Sequence, residues 1–222
     1  MTRRDRKVNP VADNSIRRTG GAMKPARPDL PYYNGDPVPL TLRGGMQVLA
    51  ACALAFAALV WLPRLLPSPW GGWAGAGAFV GLQLAGLAMA VGPAWTVLLR
   101  RPRGRDLLIG LAFVPLVIGL PMLVAYAVVG TANVSANPVI TSMGAMAWPQ
   151  AVSMFAMAAV QLLGEELVTI LPLLVLLALL HRSGTRRGPA VVVVWVATAL
   201  VFGALHLPTY QWHFGQALLV IG

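Results

Sequence analysis

Apolar residues gather into long runs, separated by connections that alternate between basic and nearly uncharged. The runs lie at about Gly45–Trp61, Gly72–Leu99, Leu107–Val129, Pro149–Leu180 and Pro189–His206. About 20 apolar residues cross the roughly 30 Å of a bilayer core, so each run predicts a membrane-spanning helix. Pro208 breaks the last of them, and the closing QALLVIG reads as a sixth span that has only begun. The pattern therefore predicts an all-α, polytopic transmembrane helical bundle of five spans plus the start of a sixth. Residues 45–222 form this domain, which is expected to continue beyond Gly222.

Residues 1–44 show no apolar periodicity and are expected to be a disordered basic leader. The stretch 1–45 holds nine Arg/Lys and four Asp. It is too long and too polar to open a secretory signal. Residues 131–148 carry no charge and read as a loop or interfacial segment. The run 149–180 would be about 48 Å long as one helix, more than the bilayer core needs. Its first part is expected to tilt or to lie in the interface, with a kink at Pro172. Gly71/Gly75 and Gly77/Gly81 have the spacing that lets helix backbones approach. Packing within the bundle is the expected use, ahead of dimerisation.

Composition agrees with a lipid setting: 57% of residues are hydrophobic, 11% are charged, and mean hydropathy is +0.70. Lys and Arg outnumber acids 17 to 7, with the excess in the leader, at 100–105 and at 181–187. The other connections hold only Arg64 and His213. This alternation predicts a plasma-membrane protein with a cytoplasmic N-terminus, and it explains the charge without nucleic acid as a partner. Trp61, Trp70, Trp73, Trp148 and Trp212 then form a belt at the outer interface. The single Cys52 excludes an intrachain disulfide framework.

Against this background, Glu165 and Glu166 are the only glutamates. Both sit inside an apolar run, where a charge costs about 2.5–3.5 kcal/mol on insertion scales. Such carboxylates point to a functional site. Gln161, Glu165 and Thr169 fall four residues apart and share one helix face, while Glu166 is turned about 100° away. Phe202 and His206 are one turn apart in the next span. Counted from the basic turn between the two spans, Glu165 and His206 lie at similar depth. They are expected to face each other across a polar cavity, with neighbouring donors supporting Glu166. The bland alternatives are neutral glutamates gluing helices together and an interfacial His206; His213, beside Trp212, reads as interfacial. The metalloprotease HExxH, a Cys/His cluster and the nucleophile GxSxG are all absent. No cofactor is called for, and a metal held by Glu and His stays open.

GEELVTILP, followed about forty residues later by FGALHLPTYQW, resembles the CPBP family of CAAX-protease and bacteriocin-processing, abortive-infection-type membrane proteins. Glu165 and Glu166 match the start of its EExxxR motif, with Ile170 where Arg stands. Phe202 and His206 match FxxxH in full. The third motif, His with Asn, Asp or His four residues on, would lie in a later span. The resemblance covers about residues 150–222. It implies an intramembrane endopeptidase in which Glu165 polarises water with help from His206. Its substrate would be a membrane-associated peptide or protein. The family also includes members that act as scaffolds or chaperones, so the alternative is a degenerate relative that positions a partner membrane enzyme. A proton-coupled transporter is the third class, disfavoured by the lack of an internal repeat.

Overall fold

A computed structural model describes residues 28–29, 36–99, 101–124, 126–127, 130, 142 and 146–217. Five helices in it are long and apolar enough to cross a membrane, so the chain is a multi-pass, all-helical membrane protein. These are α1 (Leu42–Leu65), α2 (Trp70–Val91), α3 (Gly104–Val124), α4 (Trp148–Arg182) and α5 (Arg187–Leu205). A 3-10 segment, Gly92–Leu99, follows α2, and a short helix α6, Phe214–Gln216, follows α5. Residues 1–27, most of 131–145 and the start of the sixth span after 217 lie outside the described residues.

The helix ends follow local chemistry. The Thr41 hydroxyl accepts a 2.9 Å bond from the Gly44 amide and caps α1. Gly92, at φ +57, ends α2, and Pro93 follows it. Pro149 sits in the first turn of α4, where its missing N–H costs nothing. The helix then continues through Pro172 to Arg182 as 35 residues, about 52 Å, longer than a bilayer core.

The helices α1, α2 and α4 make the core. Gly71, Gly75, Phe79, Gln83 and Gly86 form the buried row of α2, spaced by three and four. A Cβ on Gly71 would come within 2.9 Å of the Pro63 Cα, and one on Gly86 would overlap Ala51. The Gly71/Gly75 pair thus serves packing within the bundle, as its spacing suggested. Gly77 and Gly81 face open space instead. On α4 the buried row is Gly164, Leu167, Leu171, Leu174, Val175 and Ala178. The helix α5 packs on α4. No described residue of α3 is buried.

The end of the leader departs from expectation. Residues 28–29 and 36–37 pair as a two-residue parallel bridge. Val38 and Leu40 are buried in the same cluster as Val48, Leu87, Leu171 and Val175. Arg182, at the end of α4, donates a hydrogen bond to the Leu40 carbonyl. Residues 38–44, which the sequence assigns to the leader, therefore include side chains packed into the bundle. Two apolar side chains in a polar stretch were enough to dock it, too few to register as periodicity. This contact also brings residues 38–41 and the end of α4 to one end of the bundle.

Candidate functional site

The carboxylate stripe forms as its spacing dictates. Gln161 Nε2 donates to Glu165 Oε1 at 3.0 Å, one turn away on α4. Thr169 Oγ1 donates to the Glu165 backbone carbonyl at 2.9 Å. Glu165 is half-buried; Glu166 is exposed and has no side-chain hydrogen bond among the described residues. The expected donors around Glu166 are missing for a geometric reason. Its neighbours one turn away are Leu162, Leu163 and Ile170, the last 37% exposed, and Thr169, whose hydroxyl donates to the Glu165 carbonyl instead. An arginine at position 170 would reach Glu166 rather than Glu165.

His206 caps the C-terminus of α5 and continues the row Ala190, Val194, Thr198, Phe202. Its Nδ1 lies 2.9 Å from the Phe202 carbonyl. A carbonyl only accepts, so Nδ1 carries a proton in this contact and Nε2 is turned away from it. The ring lies 4.6 Å from that of Phe202 and 6.5 Å from that of Tyr210, centroid to centroid. Tyr210 is buried, and the turn beyond it holds Gln211 and Trp212 at φ 53 and 64. Left-handed backbone at such residues costs about 1–3 kcal/mol each, which the packing of this turn must offset.

From the basic turn, Glu165 is 17 residues up α4 from Arg182 and His206 is 19 up α5 from Arg187. That is about 26 and 28 Å, so the levels match. Yet no hydrogen bond or ion pair joins His206 to either glutamate among the described residues. No group of three or more His, Cys, Asp or Glu that could hold a metal occurs among them either. The structure thus assembles Gln161, Glu165 and Thr169 on one helix and Phe202 with His206 on another, without a direct bond between the sets. His213 is exposed, in keeping with an interfacial place.

Sequence reasoning missed Gln83. It is fully buried, donating to the Phe79 carbonyl at 2.7 Å and to the Gly164 carbonyl at 3.0 Å. Cys52 Sγ approaches its Oε1 at 3.8 Å. One side chain therefore ties α1, α2 and α4 together beside Glu165. Its signal was there: Gln83 is the only side chain in α2 with an amide, acid or basic group. Gly164 allows this approach, because a Cβ there would overlap the Phe79 ring.

A cavity of about 740 Å³ opens at the end of the bundle away from Arg182. It is lined by the α1–α2 turn and the first turns of α4, and neither Glu165 nor His206 contributes to it. The polar cavity expected between those two residues is therefore not this one. No family model, curated protein or solved structure matches the chain.

Proposed function

We propose that this chain is an intramembrane endopeptidase of the CPBP type, cutting a membrane-associated peptide or protein. The observation that carries the reading is the Gln161–Glu165 hydrogen bond within a long apolar helix. A neutral amide holding one carboxylate oxygen leaves the other free to take a proton. In the proposed step Glu165 accepts a proton from water as the water oxygen attacks the scissile carbonyl carbon. The C–N bond then breaks, and the same proton passes to the leaving amine, giving a carboxylic acid and an amine. His206, at matching depth on the neighbouring helix, would orient that water through Nε2.

The same reading puts the leader and the 181–187 turn in the cytoplasm of a plasma-membrane protein. Support comes from Arg182 meeting Leu40 at one end, and from Trp61, Trp70, Trp148 and Trp212, exposed at the helix ends opposite. A second reading, a scaffold for a partner membrane enzyme, is favoured by the open faces at Gly77 and Gly81 and along α3. Comparing peptide processing by the native chain and by Glu165→Gln in the same bilayer separates the two. The protease loses its activity, whereas a scaffold keeps its partner working.

A further inference from the structure

The 740 Å³ cavity is within the roughly 300–1,000 Å³ range of ligand pockets. No charged side chain lines it among the described residues. Its walls include Pro63, Trp73, Met154 and Met157, with Gln150 and Ser153 as polar groups. Thioethers are polarisable and flexible, and they adapt to apolar groups of varied shape. Met157 enters because Gly72 is bare: a Cβ there would stand 2.6 Å from its sulfur.

The cavity and the carboxylate share one face of α4. Gln150, Met154, Met157, Gln161 and Glu165 are spaced by four, three, four and four, a continuous helical stripe. From Met157 to Glu165 is eight residues, about 12 Å, and from Met154 eleven, about 16 Å. An extended peptide covers about 3.3 Å per residue, so four or five residues span that gap.

Resting on the endopeptidase reading, we propose that this cavity is a substrate subsite. It takes an uncharged, apolar stretch of the peptide, four or five residues from the bond cut at Glu165. Specificity then comes from apolar side chains at that distance, with Gln150 and Ser153 available to hydrogen-bond the peptide backbone. A charged residue at the same place would enter without a counter-charge and be rejected.

The test uses the full chain in nanodiscs. The probe is a capped, neutral twelve-residue peptide with a leucine-rich half that carries a benzophenone-bearing phenylalanine. On the Glu165→Gln protein, crosslinks are expected within 146–157 and 68–73. Ser153→Phe, which fills the cavity, should reduce them at least tenfold. So should Gln150→Arg, which adds charge at an exposed position and keeps the test open if the first variant misfolds. With the native chain, moving the leucines along the peptide should move the cut so that four or five residues still separate them. Crosslinks elsewhere, or no response to either variant, overturn the subsite. Cleavage without cavity crosslinks does the same and leaves hydrolysis standing. Crosslinks in the cavity with no cleavage of any register support an apolar-peptide site and overturn the protease reading.

Discussion

Gln83 on α2 donates a 3.0 Å hydrogen bond to the carbonyl of Gly164, the residue immediately before Glu165. A buried amide thus sets where the carboxylate-bearing turn of α4 sits against α2. Polar side-chain contacts between helices in bilayers average about 0.6 kcal/mol and reach about 1.7 kcal/mol. Gln83→Leu should therefore lower stability by about 1 kcal/mol in reversible unfolding from detergent micelles. An unchanged midpoint would mean that the amide does not hold the two helices together.

The glycines of α2 divide into two classes. Gly75→Leu should cost about 1–3 kcal/mol, because it overpacks the seam where Pro63 already stands 3.3 Å from the would-be Cβ. Gly77→Leu points into open space and should change stability by less than about 0.5 kcal/mol. If the scaffold reading holds, Gly77→Leu weakens capture of the partner while leaving the fold intact. Equal destabilisation by both substitutions would refute this division.

Ile170 shares its helix face with Glu166, one turn away. Ile170→Arg should place a cation beside that carboxylate and raise the rate of peptide processing, whereas Ile170→Leu should leave it unchanged. The comparison is made on processing rates at matched protein levels. A fall with arginine would show that Glu166 works better unpaired.

Arg182 anchors the strap formed by Val38 to Thr41. Hydrogen bonds to charged groups contribute about 1.5–3 kcal/mol, so Arg182→Met should release the strap. Amide hydrogen exchange at residues 38–41 should rise, with exchange in the middle of α2 unaffected. No change at 38–41 would mean that burial of Val38 and Leu40 alone holds it.

Much of the architecture was legible because membrane spanning demands a long apolar run, and the runs map onto the helices nearly one to one. The Gln161–Glu165–Thr169 stripe was legible for the same reason, since helix spacing alone decides it. What could not be read depends on contacts between elements. Gln83 stands out as the one amide in α2, but the carbonyls it meets depend on Gly164 letting α4 approach. Val38 and Leu40 carry no periodicity, so their docking under Arg182 left no sequence signature. The row of His206 was legible, but its ring partner Tyr210 depends on a turn with unusual backbone angles. Spacing along a helix also fixes depth but not lateral placement, and among the described residues no hydrogen bond joins Glu165 to His206.

Glu165 is the base in the proposed hydrolysis. The most direct measurement is the cleavage rate of a membrane-associated peptide by the native chain and by Glu165→Gln, reconstituted together with a check that both are folded. Removing a general base costs about 10²–10⁴-fold, so the variant should cut at no more than about one hundredth of the native rate. Native-like cleavage by a folded Glu165→Gln protein would rule out Glu165 as the base.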